Sequence, residues 1–324
     1  MKLQQLTYIA EVVRCDLNIT RAAERLHTSQ PGVSKQIRLL EDELGLKIFR
    51  RKGKQLVAIT ETGKEVLRLT EQILNKVTDI KSISLDKTDP KKGALKIATT
   101  HTQARYALPA TINAFRTKYP DVELSIYQGT PDQLAELAQQ EVVDLVIATE
   151  ALDLFTDLIM LPCYYWNRSI LVPEGHPLAQ STPLTLEAIA EFPLVTYVFA
   201  SGSHQLLERT FGAKGLHPRV ALTAVDTDVI KTYVKLGLGV GLIASMAFDP
   251  ESDQALVARD ASDLFPDSLT MIGLRQDHYY QKFVLDFISE FAPHFHREQL
   301  QQLILQSDSG NQPLAAEGLN LPRR

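Results

Sequence analysis

The stretch from Thr60 to Leu85 constrains the fold of this chain more than any other segment. It contains no proline and a single glycine, Gly63, and its apolar residues recur every three or four positions. This near-heptad spacing predicts one long helix whose apolar stripe consists of Val66, Leu69, Ile73, Val77, Ile80 and Ile83. A lone helix cannot bury such a stripe, so it pairs with a copy of itself or packs on its own domain. The residues 86–92, with Asp89-Pro90 among them, are predicted to form a hinge.

The predicted helix divides the chain into a head (1–59), a connector (60–88), a body (89–307) and a loose tail (308–324). Residues 1–60 carry 11 Lys and Arg against 6 Asp and Glu, a net charge of +5. The rest of the chain carries 23 basic and 33 acidic side chains, a net charge of −10. A basic head on an acidic body indicates that only the head meets a polyanion.

The head has the pattern of three short helices. The first is predicted to turn inward a stripe made of Leu3, Leu6, Ile9, Ala10 and Val13. Asn18 or Thr20 caps the second, whose apolar side is Ala22, Ala23 and Leu26. A turn capped by Ser29 leads into the third, where Pro31 is tolerated because the first helical turn needs no N–H from it. The third helix is predicted to bury Val33, Ile37, Leu40 and Leu44 and to end at Gly45.

Polar and basic side chains follow the start and the outer face of this third helix. They are Thr28, Ser29, Gln30, Pro31 at the turn, and then Ser34, Lys35 and Arg38. A tight turn between two helices, with amide, hydroxyl and guanidinium groups on the second, suits reading of the DNA major groove. The next segment, 49–57, is a basic hairpin that turns at Gly53 and offers Arg50, Arg51 and Lys52 to phosphates. The head is therefore predicted to bind double-stranded DNA operators.

The segment AAERLHTSQPGVSKQIRLLEDELGLKIFRR, followed by ITETG, resembles the winged helix-turn-helix of LysR-type transcription regulators. The resemblance implies an α+β chain with an N-terminal winged helix-turn-helix, a long dimerising linker helix and a two-lobed effector domain. That effector domain is expected to be α/β and periplasmic-binding-protein-like.

The body alternates between buried strands and helices. ALKIATT, VELSIYQG and VDLVIAT read as strands, and residues 102–118 and 130–140 read as helices between them. The predicted first lobe comprises 89–163 and 269–294, the second lobe comprises 164–268, and a C-terminal helix covers 295–307. Two lobes that the chain crosses twice form a cleft that can close on a small molecule.

Neutral hydrogen-bond donors cluster where predicted strands end. Thr100, Thr102 and Gln103 lie between the first strand and its helix, and Thr149 ends the third strand. Ligands of α/β sheets bind at such strand ends, and helix N-termini attract anions. Helix capping is the plain alternative for Thr100 and Thr102.

Further segments, among them IATTHTQARYALP, DLVIATEAL, MLPCYYWNRSILV and DTDVIKTYVKLGLGVGLIASMA, are similar to the cysteine-biosynthesis branch of the LysR family. That similarity implies a homodimer or homotetramer that activates genes of sulfur assimilation, with RNA polymerase as a partner. It also implies N-acetylserine as inducer, opposed by sulfur anions such as sulfate or thiosulfate. The implied effector site contains Thr100, Thr102, Gln103, Thr149 and Trp166, with Ser201 or Ser203 where the branch has a threonine. A sister regulator that senses sulfate or adenosine phosphosulfate remains the alternative.

Other classes of protein fit the residues poorly. The chain has no HExxH, GxSxG or paired-cysteine motif, so we expect no enzyme, no cofactor and no metal. Its two cysteines, Cys15 and Cys163, are expected to be buried thiols. The amphipathic N-terminus does not read as a secretion signal, which favours a cytoplasmic protein and disfavours a periplasmic anion-binding protein.

Overall fold

The computed structural model describes residues 1–53, 55–198, 203–276, 278–306 and 319–324. The chain forms two compact units, Met1–Lys87 and Thr88–Arg324. In the described parts, no helix combines the length and apolarity that a bilayer crossing requires.

The first unit is a three-helix bundle with a β-hairpin. Its helices are α1 (Leu3–Arg14), α2 (Ile19–Arg25) and α3 (Gln30–Leu44), followed by β1 (Phe49–Lys52) and β2 (Gln55–Ile59). Of the two candidate caps of α2, Asn18 is the one used, because its side chain accepts a hydrogen bond from the Arg21 N–H at 3.0 Å. The predicted Ser29 cap is confirmed, with the Gly32 N–H 3.2 Å from its Oγ. Gly45, at φ 67°, ends α3 in the left-handed conformation that glycine adopts without strain.

The core of this unit lies between the three helices and the hairpin. Val33, Ile37 and Leu40 of α3 are fully buried there, as predicted. The predicted burial of Leu3 and Leu44 is wrong, because their side chains are 51% and 38% exposed. Each lies at an end of its helix, where neighbouring helices no longer cover it.

A helix of 28 residues, α4 (Glu61–Thr88), follows the hairpin. Thr60 caps it by accepting the Gly63 N–H at 2.8 Å. Gly63 is required for close packing, since a Cβ there would lie 2.2 Å from the Ile48 carbonyl oxygen. The predicted hinge start at Asp86 is wrong: α4 continues to Thr88, and Pro90 disfavours helical geometry only in the residue before it.

Within its described residues, the second unit contains two five-stranded sheets. The first has the order β4-β3-β5-β12-β6, with β3 (Gly93–Thr99), β4 (Val122–Gln128), β5 (Leu145–Ala148), β6 (Leu158–Trp166) and β12 (Ser268–Arg275). The second has the order β11-β7-β10-β8-β9, with β7 (Arg168–Pro173), β8 (Leu194–Tyr197), β9 (Val220–Ala224), β10 (Val240–Ala244) and β11 (Leu256–Asp260). Helices cover the sheets: α5 (Leu108–Lys118), α6 (Pro131–Gln139), α7 (Leu186–Ala190), α8 (Ser203–Gly212), α9 (Thr227–Lys235), α10 (Lys282–Phe291) and α11 (Arg297–Gln306).

The sheets define the two lobes and correct their predicted limits. Strand β6 stays in the first sheet through Trp166, so the chain crosses at Asn167 and not at the predicted boundary of 163/164. The C-terminal helix, predicted for 295–307, is α11, Arg297–Gln306. The helix predicted for 102–118 is interrupted, because Gln103–Ala107 form a π-helical turn before α5.

The predicted loose tail lies partly outside the described residues, and its last six residues are not loose. Residues 319–324 pack on the first lobe, where Leu321 is buried. Tyr165 N–H donates to the Pro322 carbonyl and Arg324 N–H donates to the Tyr165 carbonyl, both at 2.9 Å. The Arg324 guanidinium lies 4.4 Å from the centre of the Tyr164 ring. The sequence of this segment did not predict its packing, because its partners, such as Tyr165, lie far away along the chain.

Candidate nucleic-acid interface and effector cleft

The predicted DNA-reading residues lie at the start and on one face of α3. The side chains of Gln30, Lys35 and Arg38 are exposed, and Ser34 is half-buried beside them. Thr28, Ser29 and Pro31 form the exposed turn before them. Because Ser29 also caps α3, the turn holds this helix N-terminus in a fixed conformation.

The hairpin presents only part of its predicted basic set. Arg50 and Lys52 are exposed, whereas Arg51 is turned to the other side of β1. The Arg51 guanidinium points toward Glu41, with Nη2 3.8 Å from the carboxylate, and its side chain is 20% exposed. Strand alternation explains this difference, since successive side chains of a strand point to opposite faces. We therefore correct Arg51 from a phosphate contact to a side chain that lies between α3 and the hairpin.

Glu41 is a residue that the sequence did not single out. Its side chain is fully buried, and one carboxylate oxygen accepts the N–H groups of Ile48 and Phe49 at 3.0 and 3.2 Å. These two bonds fix the start of β1 relative to α3. A helical glutamate reads as solvent-facing in sequence, and nothing local indicates the backbone groups that it meets.

The body contains a cavity of about 80 Å³ between its lobes. Five of the predicted effector residues line it together: Thr100, Thr102, Gln103, Thr149 and Trp166. The lining also includes His101, Thr130, Glu150, Tyr197 and Ala244, which the sequence did not single out. Ser201 lies outside the described residues, and Ser203 is the first residue of α8.

Hydrogen bonds from neighbouring aromatic side chains orient two polar groups that line the cavity, the Thr149 hydroxyl and the Gln103 amide. Trp166 Nε1 donates to Thr149 Oγ1 at 2.5 Å, which leaves the Thr149 hydroxyl hydrogen free to donate elsewhere. The Tyr164 hydroxyl donates to Gln103 Oε1, so the amide NH₂ of Gln103 is left for other acceptors. Burial raises the pKa of Tyr164 to about 12, so this phenol remains a donor at neutral pH.

One acidic side chain, Glu150, also lines the cavity. Its carboxylate is paired with the buried Arg168, whose Nη2 lies 3.3 Å from it and whose guanidinium stacks 4.7 Å from the Trp166 ring centre. Burial lowers the pKa of Arg168, and the charge of Glu150 opposes that shift. Arg168 therefore compensates the negative charge of Glu150, which would otherwise repel an anion in the cavity.

The second lobe meets the first through hydroxyl groups. Tyr197 OH and Thr227 Oγ1 are 2.7 Å apart, and Thr227 Oγ1 lies 3.5 Å from Thr102 Oγ1 of the first lobe. Tyr106 of the first lobe donates to Asp228 at 3.0 Å. Contacts between the lobes thus begin next to the predicted effector residues.

Models of two families match the chain. Residues 3–64 match the bacterial regulatory helix-turn-helix protein family of lysR type, and residues 88–295 match the LysR substrate binding domain. The chain belongs to the LysR family. It is a transcription regulator with a DNA-binding head and an effector-binding body.

Curated relatives cover almost the whole chain. It is 46% identical to the HTH-type transcriptional regulator CysB of Haemophilus influenzae, over 99% of both chains. It is 45% identical to SsuR of Burkholderia cenocepacia, over 94% of this chain and 99% of that protein. It is 42% identical to the regulator cbl of Escherichia coli, over 95% of this chain and 97% of that protein.

Solved structures agree with this assignment. The cofactor-binding domain of the Cbl transcriptional regulator matches 67% of this chain and 95% of its own, with 40% identity and a TM-score of 0.63. A full-length OxyR variant from Pseudomonas aeruginosa matches 93% of this chain and 98% of its own with a TM-score of 0.66 at 22% identity, a likeness of fold alone.

Proposed function

We propose that this LysR-family protein regulates genes of sulfur assimilation and cysteine biosynthesis, and that its cavity senses a small sulfur anion or N-acetylserine. The observation that carries the proposal is the convergence of Thr100, Thr102, Gln103, Thr149 and Trp166 on one cavity. The relatives named CysB, SsuR and cbl, at 42–46% identity, support the same role.

The donors of the cavity suit an anion or a carboxylate that binds and leaves again. Hydroxyl and amide groups donate hydrogen bonds without forming an ion pair, so they hold an anion less tightly than a guanidinium does. A sensor needs such moderate affinity, because its occupancy has to follow the concentration of the ligand.

At the promoter, the head recognises the sequence, and pairing of α4 with its copy in a second chain brings a second head to the operator. Gln30, Ser34, Lys35 and Arg38 read the major groove from α3, with Arg50 and Lys52 on neighbouring phosphates. Pairing through the stripe of α4 brings two heads together, as a two-fold operator requires. The assembled homodimer or homotetramer then acts on RNA polymerase.

Calorimetry tests the effector assignment. Sulfate, thiosulfate, N-acetylserine and adenosine phosphosulfate are titrated into the full chain and into Thr149→Val, which keeps the shape of threonine and removes its hydroxyl. Thr117→Val is the control, since this exposed hydroxyl of α5 bonds only its own helix, at the Asn113 carbonyl. We expect sulfate or N-acetylserine to bind the parent and the control, and to bind Thr149→Val at least about tenfold more weakly.

Two outcomes would redirect the proposal. Equal binding by Thr149→Val and the parent would contradict the cavity as the effector site. Binding of adenosine phosphosulfate in preference to N-acetylserine would assign the protein to a sister regulator of sulfur starvation.

A further inference from the structure

A second group of polar side chains lies at the rim of the cavity. His101 belongs to the first lobe, whereas Asp226 and Asp228 flank the first residue of α9 in the second lobe. One ring nitrogen of His101 and one oxygen of each carboxylate all lie within 4.8 Å of one another. His101 Nδ1 is buried and has no hydrogen-bond partner among the described residues. A histidine next to two carboxylates, with one of its ring nitrogens unpartnered in the described residues, is a set of side chains that can bind a metal ion.

We propose that His101, Asp226 and Asp228 bind a divalent transition-metal ion of the zinc type, and that this ion joins the two lobes at the rim of the cavity. For three atoms within 4.8 Å of one another, some point lies within about 2.8 Å of all three, and zinc bonds to nitrogen and oxygen are about 2.0–2.2 Å long. Small side-chain rotations close that difference. Imidazole and carboxylate are ordinary zinc ligands, and three protein ligands leave a coordination position open.

Neighbouring groups hold both carboxylates in position. Asp226 Oδ1 accepts the Val229 N–H at 2.9 Å as the cap of α9. Asp228 accepts the Tyr106 hydroxyl at 3.0 Å and pairs with Arg105 at 2.9 Å. A carboxylate oxygen has two lone pairs, so both groups retain capacity for a metal, and metal-binding carboxylates are commonly held by such outer contacts.

The charges around the group favour a cation. The carboxylates of Asp226 and Asp228 together carry two negative charges. The Arg105 guanidinium, which pairs with Asp228, offsets one of them and leaves an excess of negative charge. The ammonium of Lys231, the next basic group, is buried and paired with Asp253 at 2.6 Å. Burial alone would lower the pKa of Lys231, but its hydrogen bonds with Asp253 and Tyr106 raise it. Lys231 therefore acts as the partner of Asp253 and does not neutralise Asp226.

Metal analysis of the untagged full chain tests the proposal. The protein is stripped with EDTA, dialysed against micromolar zinc chloride, and its bound zinc is measured by mass spectrometry. We expect about one ion per chain in the parent and a loss of that ion in His101→Gln and Asp226→Asn. Asparagine is as good a helix cap as aspartate, so Asp226→Asn removes a ligand and leaves α9 capped. His217→Gln, between α8 and β9, is the control that should keep the ion.

The opposite results are equally clear. A parent that takes up zinc only at millimolar concentration, or ligand variants that keep as much as the parent, would overturn the site. Loss of the ion in His217→Gln would also overturn it. Sulfate calorimetry in EDTA tests the proposed function separately, so failure of the metal site and failure of the anion cavity give different results.

Discussion

At the scale of single residues, one buried carboxylate, that of Glu41, fixes the hairpin on which the exposed basic groups Arg50 and Lys52 lie. Glu41 satisfies two backbone N–H groups at the start of β1. Arg51, which also approaches Glu41, lies on the inner side of the hairpin. The exposed orientation of Arg50 and Lys52, the proposed phosphate contacts, therefore follows from the same contact.

Glu41→Ala should destabilise the head. The substitution leaves two buried N–H groups without an acceptor and the partly buried Arg51 without its carboxylate partner, so the expected loss is about 3–5 kcal/mol. Calorimetric melting of the full chain measures it, with Lys35→Ala, an exposed position on α3, as the control. An unchanged melting curve for Glu41→Ala would contradict the role given to Glu41.

Arg38→Ala and Arg50→Ala should weaken DNA binding in different ways. If Arg38 contacts a base, its loss costs about 1–3 kcal/mol on the selected operator and little on unrelated duplexes. Loss of Arg50, a proposed phosphate contact, should weaken binding to all sequences and flatten the salt dependence. Fluorescence anisotropy with both duplexes over a range of salt separates the two. Equal loss on both duplexes for Arg38→Ala would contradict base reading.

The sequence predicted the residues whose placement follows from local position. Thr100, Thr102, Gln103 and Thr149 were expected at strand ends, and they line one cavity. Tyr164 and Glu150 were missed, although one orients Gln103 and the other carries the only carboxylate that lines the described cavity. Tyr164 meets Gln103 from 61 positions away, and contacts of that range leave no pattern in a single sequence.

At the scale of elements too, features set by local chemistry were predicted from the sequence, and features set by distant contacts were not. Caps and turns at Asn18, Ser29 and Gly45 follow from local chemistry and are confirmed. The π-helical turn at Gln103–Ala107 and the packing of residues 319–324 depend on partners distant in sequence, and they were not predicted.

The apolar stripe of α4 predicts a dimer. Ile73 and Ile80 are 38% and 67% exposed in the single chain, so glutamate at both positions should disturb the packing within that chain only weakly. Pairing would instead bury those charges, at a cost of several kcal/mol, and the double variant should be monomeric. Light scattering measures the mass, with the exposed Lys81→Glu as the control. A dimer that survives the double substitution would show that the stripe is not the interface.

The C-terminal segment should stabilise the body. Deletion of residues 319–324 removes the buried Leu321 side chain and the stacking of Arg324 on Tyr164. Together these contacts are worth about 2–5 kcal/mol. Thermal melting of the full chain measures the loss, and Arg116→Ala, exposed at the end of α5, should melt like the parent. A deletion that melts like the parent would mean that this segment contributes no stability.

At the scale of the whole molecule, the proposed function requires that ligand and DNA influence each other. A ligand changes operator affinity only if it binds two states of the protein with different affinity, and such coupling is commonly about 1–3 kcal/mol. Contacts between the lobes, such as Thr102 with Thr227, begin at the cavity, so a ligand bound there lies next to both lobes. By reciprocity, operator DNA should change the affinity for the ligand by the same factor.

The most direct test is operator binding with and without the ligand. A duplex selected from random sequence by the full chain is titrated with the parent and with Thr149→Val, in buffer and in saturating sulfate or N-acetylserine. We predict that ligand shifts the operator affinity of the parent about 5–150-fold, and that Thr149→Val binds the operator equally well without ligand but responds little to it. A parent whose operator affinity is the same with and without ligand, or a variant that responds as fully as the parent, would contradict the account.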